Sequence, residues 1–155
     1  MRSDYGGIVL EAHEIKYDEI DLPLRRLVRL INSALWVKSY GCCGGPAFHG
    51  HNPDVGHQFF IGLFIDSDND GIHRLHSWVT QANRLNGSTG LCAEVENVLK
   101  HPLGQGSVDG WLAYRLAARN VRRRQVSPGP AVFLRLITCL ESAWKELWPL
   151  SVATR

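Results

Sequence analysis

The residues best suited to chemistry are concentrated in one stretch, residues 40–57. It contains two adjacent cysteines, three histidines and five glycines. Cys and His side chains serve as metal ligands, nucleophiles and proton carriers, and glycine permits close backbone approaches that other residues forbid. The stretch is therefore predicted to form the pocket of a small-ligand-binding or small enzyme domain, with an unknown small molecule as ligand. The predicted ligand-binding residues are Ser39, Tyr40, Gly44, Gly45, His49 and His57.

Zinc is one chemistry that this stretch suggests. His49 and His51 have the His-x-His spacing that places two imidazoles on one side of an extended segment, and His57 follows. Adjacent cysteines on a strand point in opposite directions, so both cannot bind one ion. The chain also lacks a Cys-x-x-Cys or His-Glu-x-x-His motif. Zinc is therefore considered but not favoured; the three histidines remain metal candidates only, and no cofactor is assigned.

Nucleophilic catalysis is the second chemistry. A thiolate of Cys42 or Cys43 next to a histidine base would resemble the paired groups of covalent catalysts. His49, His51 or His57 could act as the base, with Asp54 to orient it. If the protein is an enzyme, Cys42, Cys43 and His51 are its predicted catalytic residues; whether it is one stays open, because a buried cysteine is usually a small apolar residue.

A cluster of arginines suggests a different function, RNA binding. Arginines on one surface bind phosphates in a salt-dependent way. The net charge of the chain is only +2, however, so a solvated charged surface is the competing interpretation. The residues of this predicted nucleic-acid contact are Arg115, Arg119, Arg122, Arg123 and Arg124.

A third function class is a non-catalytic interaction or accessory protein. The chain has five tryptophans and a long apolar C-terminal helix pattern. Such surfaces serve packing or self-association, so a homodimer is the partner that this alternative predicts.

Length and composition predict one globular domain over residues 1–155, with residues 1–20 loose or forming an extra edge strand. Hydrophobic residues make up 45% and charged residues 21% of the chain, as in ordinary globular proteins. The longest apolar run, residues 59–65, is too short to span a bilayer, and the N-terminus lacks a secretory apolar segment. The four cysteines show no disulfide-framework spacing. These features predict a cytoplasmic protein without a membrane partner.

Hydrophobic periodicity predicts seven elements. Apolar residues at helical spacing indicate three amphipathic helices, from Asp21 through the stripe Leu24–Leu35, over residues 72–86 with Gly87 as the stop, and from Phe133 to Trp148. Strands are predicted over residues 36–40, 59–65, 91–98 and 111–119; a helix competes for the last. The acids of residues 66–70 are interpreted as capping the second helix, since the calcium-loop pattern breaks at Ser77.

These elements predict a single-domain α+β sandwich. Three amphipathic helices each need an apolar partner. A four- to five-stranded, mainly antiparallel sheet supplies it, and the apolar residues on both faces of residues 59–65 predict a central strand.

One family resemblance covers about residues 24–66. The helix ending at Ile31-Asn-Ser, the strand with Ser39, and Cys42-Cys43-Gly44 resemble the helix, strand and Ser-Cys-Ser-Gly turn of the wybutosine-synthesis tRNA methyltransferases. The resemblance implies an RNA or methyl-donor ligand near Ser39, Cys42 and Gly44. This chain departs from the family pattern at Gly45, where the family has a basic residue.

Overall fold

The element order of the chain is the predicted one, with one short strand added. The computed structural model describes residues 16–43, 59–68, 70–87, 90–98, 107–108, 110–120 and 130–149. The helices are α1 (Leu22–Asn32), α2 (Gly71–Asn86) and α3 (Pro130–Leu147), and the strands are β1 (Val37–Cys43), β2 (Phe60–Asp66), β3 (Leu91–Asn97), β4 (Ser107–Val108) and β5 (Trp111–Asn120). The predicted α+β class is confirmed. A turn of 3-10 helix, Tyr17–Glu19, precedes α1, and the predicted strand near the N-terminus falls largely outside these residues.

The sheet is antiparallel, in the order β1-β2-β5-β3, and β4 pairs with the start of β5. Because β2 and β3 both run antiparallel to β5, they run parallel to each other, and α2 connects them. The strand interpretation of residues 111–119 is confirmed, and β5 lies in the middle of the sheet. The predicted central position of residues 59–65 is confirmed as well, since β2 pairs with β1 and β5.

The helices pack against one face of the sheet. Their apolar stripes and alternate strand residues form one buried cluster, which includes Leu63 of β2, Leu116 of β5 and Phe133 of α3. Burying side chains of this size contributes about 1.5–3 kcal/mol each relative to exposure, so this layer holds most of the core. Within the helices described here, none is long and apolar enough to cross a membrane.

Tryptophans join the helices to each other. The ring of Trp144 stacks on Trp36 with centroids 5.6 Å apart, and it meets the edge of Trp78 at 5.1 Å and of Trp148 at 4.7 Å. The indole N–H of Trp78 donates to the carbonyl of Leu140 at 2.8 Å. The polar atom of the fully buried Trp78 is thereby satisfied, which links α2 to α3.

One feature of α1 differs from prediction, and its arginines make contacts that the sequence does not show. Leu35 was expected in the apolar stripe, but α1 ends at Asn32 and Leu35 is 85% exposed. The cause is a tight last turn, in which Ser33 N–H donates to Leu30 and Ala34 N–H donates to Ile31. The arginines of α1 also make more contacts than a purely solvated face would: Arg26 pairs with Glu141 of α3 at 3.7 Å, and Arg29 lies 4.9 Å from the ring centroid of Tyr17.

The predicted capping of the α2 N-terminus by acidic side chains is wrong, whereas the predicted stop at Gly87 is confirmed. Asp70 occupies the N-cap position in a left-handed conformation and makes no side-chain capping bond. The Asp66 carboxylate instead accepts the Asp68 N–H at 2.9 Å, which forms a local turn. Gly87 ends the helix as predicted, with the positive φ of 69° that favours glycine.

Asparagines near the ends of two helices hold the edge strands of the sheet. The Asn32 amide accepts the Ser39 N–H at 3.0 Å and donates to the Ser39 hydroxyl at 2.8 Å on β1. On β3, the Asn83 amide pairs with both the N–H and the carbonyl of Ala93. The Asn83 amide therefore takes the place that a further strand would occupy, and the Asn32 amide supplies an acceptor for one edge N–H of β1.

Candidate functional site

The structure describes part of the predicted site. Ser39, Tyr40, Cys42 and Cys43 lie on β1, and two of the predicted nucleic-acid contacts lie on β5. The other predicted site residues lie outside the described ranges and stay predictions: Gly44, Gly45, His49, His51, His57, Arg122, Arg123 and Arg124.

Ser39 and Cys42 both lie toward the helices. Ser39 is buried, and its hydroxyl and N–H are bonded to Asn32. Cys42 is half-buried and packs against the main core cluster. The backbone of Cys43 pairs with Phe60 at the end of β1. Ser39 thus has a structural role, and the catalytic pairing of Cys42 or Cys43 with His51 stays a prediction.

Metal chemistry has no support within the described ranges. They contain no group of three His, Cys, Asp or Glu residues arranged to hold an ion. The candidate ligands His49, His51 and His57 lie outside those ranges.

The face of the sheet opposite the helices, the helix-free face, carries a different set of side chains. A second buried cluster lies here, formed by Phe64 and Ala113 with Tyr40, Val98 and Trp111 packed against it; no described helix contributes to it. Strand pairing places Phe60, Gly62 and Arg115 on this face as well, because paired residues of adjacent strands share a face.

A row of residues crosses all four main strands on the helix-free face. Gly62 of β2 pairs with Arg115 of β5, which pairs with Glu96 of β3. On β1 the register shifts between Ser39 and Gly41, and the intervening Tyr40 lays its ring over Gly62, where a Cβ atom would overlap it. Glycine at 62 is therefore what allows the Tyr40 ring to lie flat on the sheet.

Oppositely charged side chains alternate along this face. Arg115 pairs with Glu96, and Arg119 Nε lies 3.4 Å from Glu94 Oε1. The side chains of Arg115 and Glu96 are 38% and 56% exposed, so both reach solvent. Burial raises the pKa of the Tyr40 hydroxyl, and the nearby Arg115 guanidinium partly opposes that rise. The two arginine side chains are therefore accessible to solvent, each with a carboxylate beside it.

Both segments singled out in the sequence join the sheet at the same end. Cys43 and Phe60, which bound residues 44–58, pair with each other, and Phe60 pairs with Ala117. Asn120, which precedes residues 121–129, pairs with Leu91 three positions further along β5. The Cys/His-rich and the arginine-rich segments are therefore attached to one end of one sheet, a relation that depends on strand pairing and that sequence patterns alone do not contain.

A groove also lies between α2 and the end of α3. Its volume is about 390 Å³, and it is lined by His73, His76, Ser77, Thr80, Gln81, Arg84 and Leu147. The sequence predicts only that His73 and His76 are neighbours on one surface, since they lie three residues apart. The groove is rich in hydrogen-bond donors but lies on the helical layer, away from the helix-free face.

Comparisons with protein-family models, curated proteins and solved structures found no match.

Proposed function

We propose that this protein binds single-stranded RNA across its helix-free face. The observation that carries the proposal is the combination on that face of aromatic rings with accessible arginines: Tyr40, Phe60 and Trp111 beside Arg115 and Arg119. Aromatic side chains on an open sheet stack on unpaired bases, and arginines bind phosphates and stack on bases.

The shape of the site favours a polymer over a buried small molecule. Phe60 and Trp111, at opposite ends of the β2–β5 pairing, are both only half-buried. Their register positions are six residues apart on β2, which is about 20 Å along a strand. That span suits several nucleotides, whereas a small molecule would contact only part of it.

One further observation supports an RNA ligand. The arginine-rich segment that begins after Asn120 joins the sheet at the end where Phe60 and Ala117 pair. The resemblance of residues 24–66 to the wybutosine-synthesis tRNA methyltransferases implies a ligand near Ser39, Cys42 and Gly44, and so does not point to this face. Methyl transfer is not part of the proposal, because Ser39 and Cys42 lie toward the helices. A cytoplasmic location, as expected from the cysteines, belongs to the proposal.

Replacing Arg115 and Arg119 together by Ala is expected to weaken binding of RNA about tenfold or more. The measurement is fluorescence anisotropy with a labelled single-stranded RNA of about 12 nucleotides, titrated from about 50 to about 200 mM salt. Binding by the unmodified protein should weaken steeply with salt, and the log–log slope should become shallower by about 1 in the double variant.

Arg84→Ala is the matched control, since Arg84 is an exposed arginine of α2 that bonds to Gln81 on the helical layer. Its affinity for the RNA should stay within about twofold of that of the unmodified protein, since it removes only one charge, and that charge lies away from the helix-free face. RNA binding that is insensitive to salt, or equal losses in the control and the double variant, would contradict the proposal.

Small-ligand binding at residues 40–57 stays a prediction, because residues 44–57 lie outside the described ranges. Self-association, the third function class, stays a prediction; Trp36, Trp78, Trp144 and Trp148 pack among themselves in this chain.

A further inference from the structure

We infer that the Arg115–Glu96 pair recognises the Watson–Crick edge of a guanine base, with the base lying beside the Tyr40 ring; this inference rests on the proposed RNA-binding function. The three side chains lie in one row across the sheet, because Gly62 pairs with Arg115 and Arg115 with Glu96 while the Tyr40 ring covers Gly62. A flat aromatic ring is thus next to a charged pair.

The pair offers donors and acceptors side by side. Arg115 Nη2 donates to Glu96 Oε1, which leaves further guanidinium N–H groups and the second carboxylate oxygen for a ligand. The Arg115 Nε atom is buried and bonds to none of the described residues. The Glu96 carboxylate offsets the Arg115 charge, so Arg115 is suited to bind a neutral base edge. Arg119 is then the arginine of this face that contacts a phosphate, which agrees with a salt slope that changes by about 1 in the double variant.

Guanine is the base that fits this arrangement. Its Watson–Crick edge carries two adjacent donors, N1–H and the N2 amino group, next to the O6 acceptor. A carboxylate accepts from both donors while a neighbouring guanidinium donates to O6. Adenine, cytosine and uracil lack two adjacent donors on this edge, so they would leave part of the charged pair without a partner.

The neighbouring Arg119–Glu94 pair is a natural comparison. It lies on the same two strands, but its closest contact is longer, at 3.4 Å, and its two members are not register partners of each other. Arg119 pairs with Cys92, and Glu94 pairs with Ala117, which lies beside Phe60 instead of the Tyr40 ring. Glu94 and Glu96 therefore lie on the same strand and the same face and carry the same charge. They differ in their cross-strand partners, which are Ala117 for Glu94 and Arg115 for Glu96.

The test compares RNA oligonucleotides of about 12 nucleotides that carry guanosine, inosine or adenosine at one central position in an otherwise uridine sequence. Inosine keeps O6 and N1–H but lacks the N2 amino group. The unmodified protein should bind the guanosine RNA about tenfold more tightly than the adenosine RNA, with inosine between them. Glu96→Gln should reduce that preference to within about twofold and bind the all-uridine RNA as tightly or more tightly.

Glu94→Gln is the matched control and should keep the guanosine preference; circular dichroism checks that both variants are folded. Equal binding of the three RNAs by the unmodified protein overturns the inference while the proposed function stands. Loss of the preference in the control as well as in Glu96→Gln also overturns it. If the all-uridine and the guanosine RNAs both fail to bind, the proposed function itself fails, and the inference with it.

Discussion

Replacing Trp144 with Ala is expected to lower the free energy of unfolding by about 3–5 kcal/mol. Trp144 is 1% exposed and lies at the centre of the tryptophan cluster, where it stacks on Trp36 and meets the edges of Trp78 and Trp148. Its removal leaves a large cavity between α2 and α3, because three rigid rings cannot all move in to fill it. Aromatic pairs also contribute beyond their buried area.

Chemical denaturation followed by circular dichroism measures this loss, and the melting temperature should fall by roughly 6–20 °C. Trp148→Ala is the matched control, because it removes the same type of side chain from the rim of the cluster, where Trp148 is only partly buried. It should lower the free energy of unfolding clearly less than Trp144→Ala does. A Trp144→Ala variant whose stability falls by less than about 1 kcal/mol, or by no more than that of the control, would show that the helices do not pack through this ring.

Replacing Asn32 with Ala is expected to cost about 2–4 kcal/mol. Asn32 is buried, and its amide bonds to the Val28 carbonyl, the Ser39 hydroxyl and the Ser39 N–H. Alanine would leave the Ser39 N–H buried without an acceptor, and an unsatisfied buried donor costs more than a net hydrogen bond contributes. The edge strand β1, which leads into residues 44–57, would lose these hydrogen bonds to α1.

Asn83→Ala separates this effect from a general asparagine effect. Asn83 makes the equivalent amide bonds to Ala93 on the opposite edge, but it is half-buried, so water can replace the lost partner. The Asn83→Ala variant should lose about 1 kcal/mol of the free energy of unfolding. Native-state hydrogen exchange should show faster exchange of the Ser39 amide in Asn32→Ala. Unchanged exchange of that amide would contradict the role of Asn32 in holding β1.

Local patterns predicted the elements well where one periodicity dominated. Leu112, Tyr114 and Leu116 alternate with Arg115, and this was enough to predict a strand over a sequence rich in helix formers. Leu35 was assigned to α1 because it continues the stripe, but a turn of backbone hydrogen bonds ends the helix first. The acids before α2 fit the dipole rule, yet the backbone of Asp70 is left-handed and its side chain does not cap.

The candidate site could be predicted only in part because its residues are distant in sequence. Tyr40 and Arg115 were each singled out, for different functions, but only the pairing of β2 with β5 and the register shift at Tyr40 bring them together. In the sequence, Glu96 is one of the polar residues that alternate with Leu91, Ala93 and Val95, a pattern that by itself indicates only a half-buried strand. Its role beside Arg115 follows from the β3–β5 register, which no local pattern specifies.

The most direct test of the RNA-binding face is photo-crosslinking of the unmodified protein to a 4-thiouridine RNA, with the crosslinked peptides identified by mass spectrometry. The account predicts crosslinks on β1, β2 and β5 at side chains of the helix-free face, above all Tyr40, Phe60 and Trp111. Competition by unlabelled RNA should remove them. Crosslinks confined to α1, α2 and α3, or none that unlabelled RNA removes, would contradict it.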